Sequence, residues 1–266
     1  MAELLVNDYD LPINRACHAV QMSRSAWYRE PQAATEDEEI RLALNELVDR
    51  WSRWGFWKCF GWLRANGFSW NHKRVWRVYC LMKLNLPRRK KKMVLTRERQ
   101  PMAVLPITNQ SWSLDFVHDA LVCGKRFRTL NIIDEGVREC LGIEIDTSLP
   151  AARVVRVLDQ ISAWRGYPKQ LRMDNGPELI SSQLVAWCQR HGVEMLYIQP
   201  GKPNQNAYIE RFNRTFREEV LNAYLFSSLD QVREITWKWV IDYNEQRPHD
   251  ALDGLTPTAY REKIAA

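Results

Sequence analysis

The sequence predicts an α/β fold: a mixed five-stranded sheet with helices on both faces, preceded by an all-α region. Three observations carry this. Near residue 110 the apolar pattern changes from helical spacing to strand-like alternation. The segments that follow run in the order strand, strand, strand, helix, strand, helix, strand, helix. Charge divides at nearly the same place. Residues 1–106 hold 19 Lys+Arg against 11 Asp+Glu, and residues 107–266 hold 19 against 21. A basic front half on a slightly acidic back half marks a polyanion-binding module joined to something else.

The chain has 266 residues, 45% of them hydrophobic and 26% charged. That is an average globular composition and excludes a disordered or fibrous chain. No apolar run approaches the roughly 18 residues of a membrane span. The N-terminus lacks a basic-then-apolar signal pattern, so a soluble intracellular protein is expected. Six cysteines show no CxxC pair and no zinc-ligand spacing with the five histidines. They read as reduced, packed thiols.

Residues 1–34 form an N-terminal helical segment, with two short helices expected between residues 11 and 30. Ser23 or Ser25 caps the second, and Pro31 stops it. Residues 35–94 read as a helix-turn-helix-like DNA-binding domain of three helices. Glu36–Asp37–Glu38–Glu39 gives the first an acidic opening turn. Ile40, Leu42, Leu44, Leu47, Val48 and Trp51 supply its apolar contacts. Phe56 to Ala65 is the second helix, closed by Asn66–Gly67. Asn71 caps the third, where Val75, Val78, Tyr79 and Met82 repeat at helical spacing. Lys73, Arg74 and Arg77 share another face, as on a helix that enters a major groove; the alternative is a solvated basic face. Arg88, Arg89, Lys90, Lys91 and Lys92 then open a basic stretch, and residues 95–108 read as a linker able to lie along phosphates.

Residues 109–225 form the α/β core. Trp112–Val117, Arg126–Ile133 and Cys140–Ile145 alternate as a three-strand meander. Pro150 starts a helix that runs to Trp164. Gln170–Met173 is a short strand ending at Asp174, and Asn175–Gly176–Pro177 turns into a helix ended by His191–Gly192. Val193–Ile198 is the fifth strand, and a helix follows to about Tyr224. Residues 226–266 read as a helical tail, with Trp237, Trp239 and Val240 packed on the core.

Three carboxylates stand out. Asp115 sits inside an apolar strand, where a charge is costly without a cation or partner. Asp174 ends the fourth strand, where open α/β sheets place their sites. Glu210 follows after 35 intervening residues, on the last core helix. There Ile209, Phe212, Phe216 and Val220 make an apolar stripe, and Asn206, Glu210, Asn213 and Arg217 cluster beside it. Carboxylates without a His or Cys cluster suit hard divalent cations. Two such ions activate an attacking oxygen and stabilise the leaving one at phosphate. With 21 acids in this half, the spacing alone is weak and its placement on strand, strand end and helix strengthens it.

Here the sequence resembles a known family. The segments SWSLDF (Ser111–Phe116), RMDNGPE (Arg172–Glu178) and PGKPNQNAYIERFNRTFREE (Pro200–Glu219) are similar to the DDE transposase and retroviral integrase superfamily. The likeness is to bacterial insertion-sequence transposases of the insertion-sequence-3 family, second-open-reading-frame type. YNEQRPHDAL (Tyr243–Leu252), SRSAWYR and NHKRVWRVY extend it over nearly the whole chain. The resemblance implies an RNase H-like integrase catalytic core with Asp115, Asp174 and Glu210 as a triad for two Mg²⁺ or Mn²⁺ ions. It implies cleavage and joining of DNA at terminal inverted repeats, with target DNA as a second partner. A homo-oligomer on paired ends and a first-frame product or frameshift fusion are further implied partners. The implied location is cytoplasmic, on the nucleoid when bound. A Trp-rich stretch, WSRWGFWKCFGWLR, departs from many relatives and bears on the DNA sequence read.

Arg217 reads as a phosphate contact, against an ion pair with Glu210 or Asp174. Lys202 and Asn206 precede the catalytic helix, with Lys202 on a phosphate and Asn206 holding Glu210, against simple loop chemistry. Asn175 belongs to a turn that aims Asp174. Glu178 reads as a first-turn helix residue rather than a ligand. Arg247 and His249 pin the tail to the core or touch DNA. Two rivals remain: a metal-independent DNA-binding regulator with a degenerate core, and a nuclease of the same fold that does not join.

Overall fold

A computed structural model describes residues 2–28, 33–86, 106–198 and 206–265. Arg88, Arg89, Lys90, Lys91, Lys92 and Lys202 lie outside the described residues. The chain divides into two compact units, residues 1–54 with 70–85, and residues 55–69 with 86–266.

The first unit contains α1 (Ala2–Asn7), α2 (Ile13–Ala19), α3 (Arg24–Trp27), α4 (Ala33–Arg50) and α6 (His72–Leu81). The first of these was not expected. Of the two candidate caps on α3, Ser23 is the one used: its side chain accepts from the Ala26 N–H. Asn71 caps α6 by accepting from the Lys73 N–H. Helices α4 and α6 pack together, with Ile40, Leu44, Leu47, Val75, Val78 and Tyr79 buried. Leu42 corrects the expected apolar set, because it falls off the buried face and is 58% exposed.

The second unit contains α5 (Phe56–Ala65) and the sheet. The sequence groups α5 with α4 and α6; in the structure, Trp62 of α5 donates through Nε1 to Gln246 Oε1 of the C-terminal segment at 3.2 Å. The strands are β1 (Ser111–Ala120), β2 (Arg126–Asp134), β3 (Cys140–Asp146), β4 (Gln170–Met173) and β5 (Glu194–Tyr197). They lie in the order β3-β2-β1-β4-β5. The first three are antiparallel, while β4 runs parallel to β1 and β5 parallel to β4. The mixed five-stranded sheet is thus the one expected.

One face of the sheet packs on α7 (Ala151–Arg165) and α8 (Ser182–His191). Trp112, Leu114, Leu130 and Ile132 meet Val154, Leu158, Leu184 and Trp187 there. The helix expected directly after Pro177 starts later, where Ser181 accepts from the Leu184 N–H. Glu178 is therefore not a first-turn residue. It pairs with Arg128 of β2, whose guanidinium holds the Glu178 carboxyl below the usual range.

The other face packs on α9 (Ala207–Phe216) and α10 (Leu229–Glu245). Ile209, Phe212 and Phe216 are buried, each worth about 1.5–3 kcal/mol of transfer free energy. Trp239 stacks near Phe212, Phe216 and Tyr243. Trp237 does not join it: two positions earlier on the helix, it turns to solvent and is 65% exposed. The helix expected to run to Tyr224 changes to a π-helical turn at Arg217–Leu221. A short 3₁₀ turn (Asp250–Leu252) and α11 (Pro257–Ala265) complete the chain. Arg261 of α11 bonds Glu139, which also takes Arg165 at 2.7 Å, so the tail is fastened by buried charge. Arg247 is similarly placed, bonding Glu219 at 2.6 Å.

Candidate active site

Asp115 faces the α9 side of the sheet because Trp112 and Leu114 alternate toward the α7–α8 side. Its cross-strand neighbour is Asn131 of β2. Asn131 Nδ2 donates to Asn213 Oδ1 at 2.7 Å, and Asn213 Nδ2 donates to Asp115 Oδ2 at 2.7 Å. The Phe116 N–H donates to the other oxygen, Asp115 Oδ1, at 2.8 Å. Both Asp115 oxygens are thus oriented. Asn213 lies one helical turn after Glu210, on the same face of α9.

Asp174 follows β4, which runs parallel beside β1. Its Oδ1 accepts from the Gly176 N–H at 2.9 Å, a turn in which the side chain stands in for backbone. A Cβ on Gly176 would meet that oxygen at 3.0 Å, so the absence of a side chain there leaves room for the carboxylate. Burial pushes the Asp115 carboxyl up to about 6, and the negative charges of Asp174 and Glu210 push the same way. Asp115 therefore stands in the field of the other two carboxylates. They do not close into a ready-made cage: among the described residues no three His, Cys, Asp or Glu are grouped as ligands of one ion. An all-oxygen set of mutually repelling carboxylates is the donor chemistry that a hard divalent cation satisfies.

Beside them is an open cleft of about 570 Å³ lined by Asp115, His118, Glu210, Asn213, Arg214 and Arg217. The cleft joins carboxylates to cations, which suits a phosphodiester held against a metal site. Arg217 pairs with neither Glu210 nor Asp174. It reaches Asp119 Oδ2 at 3.3 Å and the His118 carbonyl at 2.8 Å, from the start of the π-helical turn. Asn206 sits at the first position before α9, but its side chain makes no capping bond and its Oδ1 is buried without a partner.

In the first unit, the Arg74 guanidinium lies 2.9 Å from Asp37 and that of Arg77 2.8 Å from it. The basic face read on this helix is thus partly neutralised by α4. The residue the sequence did not single out as a site is Asn213. Its signal was present: an amide three positions after Glu210, in the same cluster on the helix.

Comparison with known proteins gives the class. Integrase core domain families match residues 106–203 and 191–257, and an HTH-like domain family matches residues 35–92. The 31.7 kDa protein of insertion element IS407 from Burkholderia multivorans is 39% identical over 95% of this chain and 91% of its own length. The 39.2 kDa protein of insertion element IS476 from Xanthomonas euvesicatoria is 39% identical over 92% of this chain and 71% of its own. Among solved structures, the HTLV-2 integrase catalytic core has a TM-score of 0.49 at 17% identity, covering 59% of this chain and 99% of that one. The matches define a polynucleotidyl transferase with an integrase core behind a helix-turn-helix-like region. The chain belongs to the insertion-sequence-3 family of transposases, second-open-reading-frame type, in the DDE transposase and retroviral integrase superfamily.

Proposed function

We propose that this transposase cleaves DNA at the terminal inverted repeats of its element and joins the freed ends to target DNA, using Asp115, Asp174 and Glu210. The observation that carries the reading is geometric: Asp115 and Glu210 line one cleft, and Asp174 follows β4, which pairs in parallel with the strand that carries Asp115. These carboxylates would hold two Mg²⁺ or Mn²⁺ ions. When bound, the ions supply Lewis acidity at the scissile phosphate and lower the pKa of an attacking water or 3′ hydroxyl. Asn213 orients the Asp115 oxygens toward that position, and Asn175 belongs to the turn that aims Asp174.

The cleft holds the phosphodiester beside these oxygens. Arg217 exchanges its bond to Asp119 for a DNA phosphate, a charge-assisted contact for a guanidinium. Lys202 contacts a phosphate, just ahead of the helix that carries Glu210. Lys73, Arg74 and Arg77 approach DNA through the helix-turn-helix-like region, with Arg88, Arg89, Lys90, Lys91 and Lys92 adding backbone contacts. Phosphate contacts of this kind give affinity and register, and base edges give sequence. The chain works in the bacterial cytoplasm as an oligomer on paired ends, alone or fused to a first-frame product.

Single Ala substitutions of Asp115, Asp174 and Glu210 test the triad. Each is expected to abolish end cleavage in Mg²⁺ while leaving end binding intact. A variant that cleaves at the wild-type rate contradicts the assignment. Cleavage insensitive to a chelator contradicts the metal.

A further inference from the structure

A second depression lies against the opposite face of α9. Tyr208, Arg211, Phe212 and Thr215 line it, at spacings that share one side of the helix, while Glu210, Asn213 and Arg217 occupy the other. It is a cavity of about 110 Å³. Cationic side chains come to it from four places in the chain: Lys58 on α5, Arg138 between β2 and β3, Arg211 on α9, and Arg247 beyond α10. His249 completes the wall.

The charges here do not balance. Arg247 is matched by Glu219, which bonds it through both carboxylate oxygens at 2.6 Å. Arg138 lies 3.5 Å from the centre of the Tyr208 ring and donates to the Glu135 carbonyl, neither of which cancels its charge. Asp250 is the one acidic residue in the wall. With Arg247 set against Glu219 and Arg138 against Asp250, Lys58 and Arg211 are the positive excess among the described residues of the wall.

Two side chains register that excess. Burial first, then the Arg247 charge, lowers the Lys58 ammonium to about 8. Burial, then Arg247, Lys58, Arg211 and Arg138, drives His249 well below its ordinary 6.5. His249 Nε2 is also buried with no hydrogen-bond partner. An unpartnered imidazole nitrogen among cations is an unfavourable arrangement that an oxyanion corrects. Lysine provides a compact charge and arginine a planar fork, the pair of donors used to hold phosphate oxygens.

We infer that this pocket binds a phosphate group, with Arg211 and Lys58 as its principal donors. The group comes from the DNA backbone or from a free phosphate compound. The DNA source rests on the transposase reading, whereas the free source does not.

Two measurements on the full chain distinguish the sources. The first is thermal melting with sodium phosphate against sodium chloride at matched ionic strength. The second is DNA binding by fluorescence anisotropy across a salt series. Each is made on wild type, Arg211→Gln and Lys58→Met; Arg211 is exposed, so its substitution leaves the core intact. A saturable melting rise with phosphate in wild type, lost in Arg211→Gln, establishes a free-phosphate site. A fall of about 0.9 in the slope of log K against log salt in Arg211→Gln establishes a backbone contact. No phosphate-specific rise and an unchanged slope in both variants overturn the inference. A chain that binds no DNA at all contradicts the transposase reading, and the melting arm still decides the pocket.

Discussion

Asn213 on α9 donates a hydrogen bond to Asp115 on β1 at 2.7 Å while accepting one from Asn131 on β2 at the same distance. One amide thus ties the helix that carries Glu210 to two strands. Asn131 is fully buried, which anchors the chain of bonds in the core. Asn213→Ala is expected to reduce strand cleavage about 10–100-fold, the usual cost of losing a group that orients a metal ligand. It also leaves the buried Asn131 amide without its acceptor, so a stability loss of about 1–3 kcal/mol is expected, and the cleavage loss is read at a temperature where the variant is folded. Equal cleavage by the variant at limiting Mg²⁺ contradicts the positioning role.

The Asp115 carboxyl titrates at about 6 in the metal-free fold, above its ordinary 3.8, chiefly through burial. The folded chain therefore holds this proton longer than the unfolded one. Below about pH 4 both states are protonated, and the group carries no penalty. As pH rises through 6 the folded state must ionise a buried, crowded carboxyl, and stability is lost. Asp115→Asn should stabilise the metal-free protein above pH 6, by on the order of 3 kcal/mol. The gain should vanish below about pH 4. Chemical denaturation at both pH values checks this, and a gain independent of pH contradicts it.

Glu219 in the π-helical turn bonds both Arg247 and Trp239 Nε1, with little of either charged side chain exposed. Removing one partner leaves the other charge buried, at a cost of about 3–5 kcal/mol. Arg247→Ala should therefore lower the melting temperature strongly. Lys238→Ala, which breaks an exposed pair with Glu234 one helical turn away, should cost far less. Comparable losses from the two variants would contradict the ranking.

Asp37 accepts from both Arg74 and Arg77. Asp37→Ala releases both guanidinium groups from it. If this helix meets phosphates, DNA affinity should rise and the salt slope should steepen by up to about two. Anisotropy titrations at several salt concentrations measure this. An unchanged slope places the two arginines away from the DNA backbone.

Much of the core was legible because its strands alternate cleanly and the ends of its elements carry their own signals. Asn71 and the Gly192 C-cap closing α8 are examples. The stripe of Ile209, Phe212 and Phe216 also fixed which edge of α9 carries Glu210. What was not legible depends on partners distant in the chain. Nothing local tells Glu178 that Arg128 lies across from it, or Arg217 that Asp119 does. The π-helical turn keeps a helical apolar pattern, so periodicity alone reads it as α. Helix α5 has the spacing of a middle helix in a three-helix module, yet Trp62 finds its hydrogen-bond partner 184 residues away. The bond from Asn213 to Asp115 was within reach of the helical spacing, but its geometry needed the register of β1 against β2.

Strand transfer tests the central claim most directly: a labelled duplex carrying the element's end, in Mg²⁺, with wild type and Glu210→Gln. The account predicts joined products from the wild type and none from the variant, with equal end binding by both. Equal joining by the two proteins, or wild-type cleavage that never leads to joining, would contradict it.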